Sequence, residues 1–334
     1  MSVARERWDL AAAHARCAAG DVLATVVDVE GSSYRKRGAR AIFRADGTIV
    51  GGVSGGCLER DLARRGAWLA REGPRIVRYD TRLEDAEDDE GGPAGLGCGG
   101  SISLLVERLG PSHVALTAIA ASLERETTTT LATIVSKPRL GESFVVHEGF
   151  DGVKNGSIVT DGGQRLLVEI LEPPPRLLVC GSGHDARAVR DLAERLGYAV
   201  TIAGRDVSPS SVARREQPFF AVVMSHSLAR DRAWLDALVP RSDVRYVGLL
   251  GPRHRAEHLL EDAPYPLAKL HAPVGLDLGG EGPEAIALSI VAEIEASRAG
   301  KLEALRRKGH EARLRLVELP ADRAVRSALP ITGR

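Results

Sequence analysis

The sequence has few cysteines and no apolar run of membrane-spanning length. Its 334 residues include four cysteines, and none of them belongs to a CxxC pair. Neither a disulfide framework nor a thiolate zinc site is therefore indicated, and we expect reduced thiols. Charged residues interrupt the first twenty positions, and apolar runs elsewhere are shorter than a bilayer requires. We therefore expect a cytoplasmic protein that does not bind a membrane.

The chain also lacks net charge. Lys plus Arg and Asp plus Glu number 45 each, so no overall field would draw the protein to nucleic acid, and any anion site must be local. Hydrophobic residues at 44% and charged residues at 27% are ordinary for a globular protein. The length predicts two or three domains of about 150 residues each.

A triple proline at residues 173–175 predicts the main domain boundary, because it can continue neither a helix nor a sheet. Strand-like runs at 176–180 and 198–202, with a turn and a helical pattern between them, predict a βαβ unit. Later strands and helices keep this alternation, which is typical of a doubly wound parallel sheet. The fold class is therefore α/β, and we predict an N-terminal α/β domain at 1–172 with a connecting segment at 111–172, a Rossmann-like domain at 176–298 and a helical tail at 299–334.

Two cysteines lie in glycine-rich loops, where small neighbours would leave a thiol accessible. One loop is Ser54-Gly55-Gly56-Cys57, which leads into a predicted helix, and the other is Gly97-Cys98-Gly99-Gly100. A thiolate is favoured beside a helix N-terminus and can bind a metal or carry sulfur. An isolated cysteine is more often a small buried residue. Because two occur in matching settings, we predict that Cys57 and Cys98 are metal or sulfur contacts.

A basic loop offers groups for binding an anion. It opens with Gly31-Ser32-Ser33 and then carries four cations, Arg35, Lys36, Arg37 and Arg40. Guanidinium groups can hold an anion through charge-assisted hydrogen bonds. The alternative is a solvated loop face without a ligand.

A glycine turn in the second half is typical of phosphate-binding loops. Gly181-x-Gly183-His184-x-Ala186 follows a strand and precedes a helix, where backbone N–H groups can approach a phosphate. A dinucleotide site also needs an acidic residue about 20 positions on, and Gly204 occupies the end of that strand. A bare structural crossover is equally compatible with the pattern, and the neighbouring Arg205 could contact a phosphate.

Other functions are compatible with parts of the sequence. Ser225-His226 followed by Asp231 resembles half of a hydrolase relay, but no nucleophile elbow accompanies it, so hydrolysis is disfavoured. An NAD(P)-dependent oxidoreductase that uses the glycine turn is an alternative function. A protein-binding adaptor without affinity for small molecules is another.

Taken together, the motifs resemble the XdhC/CoxI family along nearly the full chain. Tyr34 replaces the proline that is usual in the first loop of this family. The matching segments are Gly31–Arg35, Gly52–Glu59, Gly95–Gly100, Gly181–Ala186, Val223–His226, Tyr246–Gly251 and Pro273–Gly279. The resemblance implies an N-terminal domain of the XdhC/CoxI type followed by a Rossmann half.

The resemblance implies a molybdenum cofactor (molybdopterin) chaperone and favours a non-catalytic maturation factor over an enzyme. Such a protein binds the cofactor as cargo, supports exchange of an oxo for a sulfido ligand, and delivers the cofactor to a xanthine dehydrogenase-type molybdenum hydroxylase. A cysteine desulfurase is the implied sulfur donor, and we expect a homodimer because symmetric dimers are common. The predicted cofactor-binding residues are Ser32, Ser33, Arg35, Arg40, Ser54, Gly55, Gly56, Cys57, Gly97, Cys98, Gly99, Gly181, Gly183 and His184, with Cys57 and Cys98 as candidate molybdenum or sulfur contacts.

Overall fold

The computed structural model describes six stretches of the chain: residues 3–80, 100–125, 127–150, 152–212, 217–260 and 267–305. The chain separates into two compact units. The first consists mainly of residues up to Leu177, and the second mainly of residues from Leu178 onward. Placement of the domain boundary at the triple proline stays a prediction.

The first unit contains helices and two antiparallel sheets. One sheet has the strand order β3-β2-β1-β5-β4, and the other has the order β7-β6-β9-β8. The elements are α1 (Val3–His14), β1 (Val22–Glu30), β2 (Arg40–Phe43), β3 (Ile49–Gly51), α2 (Cys57–Leu69), β4 (Arg75–Asp80), β5 (Ser101–Arg108), α3 (Val114–Glu124), β6 (Thr129–Ile134), β7 (Ser143–Val146), β8 (Ser157–Asp161) and β9 (Gln164–Leu171).

Helices cover both faces of the five-stranded sheet, which explains why β1 reads as a continuous apolar run. Successive side chains of a strand point to opposite faces. Val22 and Val26 pack with Leu58 and Leu62 of α2, whereas Leu23 packs with residues of α1 and α3 on the other face. Burial of each such side chain contributes about 1.5–3 kcal/mol. The central strands are therefore a rigid base for the loops at their ends.

The second half of the chain forms a five-stranded parallel sheet with the strand order β11-β10-β12-β13-β14. This mixed α/β architecture with a Rossmann-like C-terminal sheet confirms the predicted fold class. None of the described helices is both long and apolar enough to cross a bilayer. The elements are β10 (Arg176–Cys180), α4 (His184–Arg195), β11 (Ala199–Ala203), β12 (Phe219–Val223), α5 (Leu228–Leu238), β13 (Val244–Leu249), α6 (Arg253–Leu260), β14 (Leu270–His271) and α7 (Pro283–Arg298).

Candidate functional site

Three chain segments that are distant in sequence meet at one end of the five-stranded antiparallel sheet. β1 ends and β5 begins at this end, where Glu30 pairs with Ser101. The segments enclose a small cavity of about 40 Å³, which is room for about one water molecule. The cavity is lined by Ser32, Ser33, Tyr34, Val53, Ser54, Gly55, Cys57, Leu58, Gly100, Ser101 and Ile102. Five of the predicted site residues, Ser32, Ser33, Ser54, Gly55 and Cys57, are thus brought together.

Close backbone packing joins the first of these segments to the start of β5. A Cβ atom on Gly100 would lie 2.4 Å from the carbonyl oxygen of Ser32 and 2.6 Å from that of Glu30. Only glycine permits this approach. The preceding predicted site residues, Gly97, Cys98 and Gly99, lie outside the described residues.

Glu59 organises the loop between β3 and α2. One carboxylate oxygen accepts the backbone N–H groups of Val53 at 2.9 Å and Ser54 at 2.8 Å. The other accepts the N–H of Gly56 at 3.1 Å and the hydroxyl of Ser54. Burial is the largest influence on the pKa of Glu59 and raises it, but these hydrogen bonds together outweigh burial and lower the pKa below its usual value. Glu59 belongs to a motif that the sequence displays, and its place at the third position of the helix after Gly56 is a capping-box pattern that could have predicted this role.

Cys57 is the first residue of α2, and its thiol is only partly buried. The thiol lies 3.4 Å from the hydroxyl oxygen of Ser54, to which it donates. The preceding Gly56 has φ 111°, a conformation that favours glycine. Cys180, in contrast, is buried in β10, and burial raises its pKa. Among the described residues no group of three or more His, Cys, Asp and Glu side chains could hold a metal ion.

The two arginines predicted to bind an anion have carboxylate partners. Arg35 forms an ion pair with Glu6 of α1. Arg40 forms two hydrogen bonds with Glu169 of β9, at 2.7 and 2.5 Å, and their side chains are 3% and 6% exposed. These carboxylates neutralise both guanidinium groups from distant parts of the chain. An anion-binding role for Arg35 and Arg40 therefore stays a prediction, and the structure gives each an internal partner.

A larger cavity of about 380 Å³ lies beside the basic loop. Its lining includes Tyr34 and Lys36, and Tyr34 also lines the small cavity next to Cys57. Lys36 is exposed and has no ion-pair partner among the residues that the structure describes. Tyr34 therefore lines both cavities, and Lys36 supplies the larger one with a positive charge.

The glycine turn of the second half lies in a crevice at the carboxyl ends of three neighbouring strands. Gly181 and Gly183 follow β10, and the crevice has a volume of about 260 Å³. The chain passes from β10 to β11 on one side and returns to β12 on the other, which makes this position a topological switch point. His184 is exposed at the first turn of α4 and is not among the residues that line the crevice. The lining residues are Gly181, Ser182, Gly183, Ala203, Gly204, Arg205, Ser225, His226 and Arg230.

Ser225 and Asp231 contact each other directly and without His226. The hydroxyl of Ser225 donates to Asp231 at 2.5 Å, and Arg255 pairs with the same carboxylate at 2.7 Å. His226 has φ 59° and is exposed. A relay from serine through histidine to aspartate is therefore not formed by these residues.

The two glycines of the turn should respond differently to substitution. A Cβ on Gly181 would lie 2.4 Å from the carbonyl oxygen of Met224, whereas a Cβ on Gly183 would lie 3.6 Å from the nearest atom, Nε2 of His226. We expect Gly181→Ala to lower the free energy of unfolding by about 1–3 kcal/mol and Gly183→Ala to change it by less than about 0.5 kcal/mol. Urea denaturation of both variants checks this, and equal losses would contradict it.

Comparisons with known proteins agree along most of the chain. Residues 17–80 match the model of the XdhC and CoxI family, and residues 177–294 match that of the XdhC Rossmann domain. The chain is 30% identical over 317 residues to a Bacillus subtilis protein named as a probable xanthine dehydrogenase subunit, and the match covers 83% of this chain and 93% of that protein. It is 27% identical to the Escherichia coli molybdenum cofactor insertion chaperone PaoD, with 84% of each chain covered. A Bacillus halodurans crystal structure described as a xanthine dehydrogenase has a TM-score of 0.73 and 28% identity, and the match covers 90% of this chain and 97% of that chain.

Proposed function

The chain belongs to the XdhC and CoxI family, and from this premise we propose that it is an accessory protein that binds molybdenum cofactor and supports its insertion into a xanthine dehydrogenase-type molybdenum hydroxylase. The similarity to the insertion chaperone PaoD supports this role. The hydroxylase client, a cysteine desulfurase as sulfur donor and a homodimeric state are parts of the same proposal.

The observation that carries the proposal is that three segments meet around the partly exposed thiol of Cys57. They are the loop with Ser32 and Ser33, the loop between β3 and α2 that Glu59 organises, and Gly100. A labile molybdenum centre requires shelter and soft ligands, and a cysteine thiolate is a soft ligand. Glu59 holds the backbone of this loop in one conformation before any ligand arrives. The small cavity therefore marks the point at which the molybdenum end of the cofactor would reach the thiol of Cys57.

The larger cavity has room for the pterin end. Its volume of about 380 Å³ falls within the roughly 300–1,000 Å³ of ordinary ligand pockets. Lys36 lines it and supplies a positive charge for the cofactor phosphate. We propose that the cofactor lies across Tyr34, with its phosphate toward Lys36 and its metal toward Cys57.

The finer part of the proposal concerns sulfur. Cys57 would contact the molybdenum or the incoming sulfur while the oxo ligand is exchanged for a sulfido ligand. The sequence predicts the same task for Cys98, which lies outside the described residues. Cys180 is unsuitable because it is fully buried in a strand.

Cys57→Ala should weaken cofactor binding by about tenfold or more, equivalent to about 1.4 kcal/mol, because it removes the soft contact at the small cavity. Anaerobic titration of the full chain with molybdenum cofactor, followed by absorbance and mass analysis, measures the change. Cys17→Ala is the matched control, since Cys17 packs against the α1 and α3 cluster and does not line the cavity. Equal affinities for the two variants would contradict the thiol role.

A further inference from the structure

The crevice in the second half of the chain is lined by two arginine side chains, Arg205 and Arg230. The guanidinium group of Arg230 donates to the carbonyl oxygens of Gly204 and Arg205, both at 2.9 Å, and of Val207 at 3.3 Å. These are neutral acceptors. Arg205 lines the crevice and has no ion-pair partner among the described residues. Two cations therefore face the end of β11.

The strand that ends beside these cations lacks the acid of an NAD site. An acidic side chain at the end of this strand normally accepts hydrogen bonds from the ribose hydroxyls of NAD, whereas a nearby arginine accommodates the 2′-phosphate of NADP. Gly204 occupies the position here and exposes only backbone. Asp206 lies two positions further on, and its carboxylate oxygen is 2.8 Å from where a Cβ on Gly204 would be. It does not line the crevice.

The described part of the loop after β11, residues 204–212, carries a net positive charge when it is taken together with Arg230. Arg205 and Arg230 contribute two positive charges and Asp206 one negative charge, so the difference is one positive charge. A phosphate at this position gains from that field, whereas a neutral ribose hydroxyl gains little. Because Arg230 bonds three carbonyl oxygens of the loop, the loop is held in place before a ligand binds.

We propose that this crevice binds a dinucleotide whose adenosine ribose carries a 2′-phosphate, the chemistry of NADP(H), in preference to NAD(H). The pyrophosphate lies on the Gly181-x-Gly183 turn at the N-terminus of α4, as in other Rossmann folds. Nε2 of the His226 imidazole lies 3.6 Å from where a Cβ on Gly183 would be. The 2′-phosphate lies against Arg205. The cavity of about 260 Å³ accommodates the ribose phosphate end of the ligand.

Calorimetric titration of the full chain with NADPH and NADH tests the preference. We expect NADPH to bind at least about tenfold more tightly than NADH, and the preference to weaken as salt is raised. Arg205→Ala should reduce NADPH affinity to that of NADH without changing NADH affinity. Arg195→Ala is the control, because it removes the same charge from the exposed last turn of α4, away from the glycine turn.

Gly183→Ala separates loss of binding from loss of folding. The extra methyl group has space in the folded chain but occupies the backbone surface that a pyrophosphate must approach. We expect it to abolish binding of both nucleotides while the free energy of unfolding stays within about 0.5 kcal/mol of that of the unsubstituted protein. Failure of the unsubstituted protein to bind either nucleotide would overturn the proposal. Tighter binding of NADH than of NADPH would also overturn it. Loss of NADH affinity in Asp206→Ala would then identify Asp206 as the acid that binds the ribose. Neither result would bear on the cofactor role of the first unit.

Discussion

Replacing Glu169 by leucine is expected to lower the free energy of unfolding by about 3–5 kcal/mol, the cost of leaving a buried charge without its partner. Arg40 would keep its positive charge in a site where its side chain is 3% exposed. Burial opposes that charge, and attraction to Glu169 outweighs burial and raises the pKa of Arg40. Urea denaturation followed by circular dichroism measures the loss.

A double substitution distinguishes the buried charge from lost packing. Arg40→Met combined with Glu169→Leu should recover most of the stability, because neither charge is then left buried alone. Glu142→Leu is the control. Its pair with Arg139 has side chains 52% and 58% exposed, and such pairs contribute about 0–1 kcal/mol. A loss as large for Glu142→Leu as for Glu169→Leu would refute the buried-pair explanation.

The same double variant tests whether Arg40 binds the cofactor phosphate. If the variant folds and binds molybdenum cofactor with unchanged affinity, Arg40 is a structural residue, and Lys36 is the cation to substitute next. Loss of affinity in a folded double variant would restore Arg40 to the binding site as the sequence predicts.

Glu59→Leu is expected to abolish measurable cofactor binding and to destabilise the chain. The buried N–H of Val53 alone would cost about 1–3 kcal/mol without an acceptor, and the N–H groups of Ser54 and Gly56 lose the same carboxylate. The loop that presents Cys57 would no longer be held in one conformation. Glu72→Leu is the control, because Glu72 lies just beyond the same helix and its side chain is 83% exposed. Normal cofactor binding by Glu59→Leu would show that the loop needs no such support.

Lowering the pH should destabilise the folded chain through protonation of the Glu59 carboxylate. Hydrogen bonds keep the pKa of Glu59 below its usual value of 4.5 in the folded chain, so the stability that its ionised form contributes is fully present above pH 4.5 and is lost as pH falls through the lower folded pKa. Glu59→Gln cannot titrate. The free energy of unfolding of this variant should therefore vary less with pH below 4.5 than that of the unsubstituted protein. Urea denaturation of both proteins at several pH values across this range measures the difference.

Elements with buried, clearly bounded patterns could be predicted closely. β10 and α7 have the bounds that the sequence indicates, because proline precedes β10 and Gly282 and Gly300 flank α7. β8 escapes prediction because its side chains are half-buried or exposed and its strand conformation depends on pairing with β9. Such a strand has a weak local signal.

The candidate site also has some features that the sequence predicts and others that it does not. The glycine-rich setting of Cys57 and the turn at Gly181 are visible as short motifs, because the backbone there requires small residues next to one another. The partners of the arginines are not visible. Glu169 is 129 positions from Arg40, and nothing in either local pattern links the two residues.

The sequence by itself determined the family, the α/β fold and the positions of the glycine-rich loops, since these depend on local periodicity and on glycine at fixed spacings. Only the tertiary structure decided which charges are available to a ligand. It pairs Arg40 with a buried carboxylate, and among the described residues it gives Lys36 and Arg205 no such partner, because ion pairing depends on which distant elements pack together.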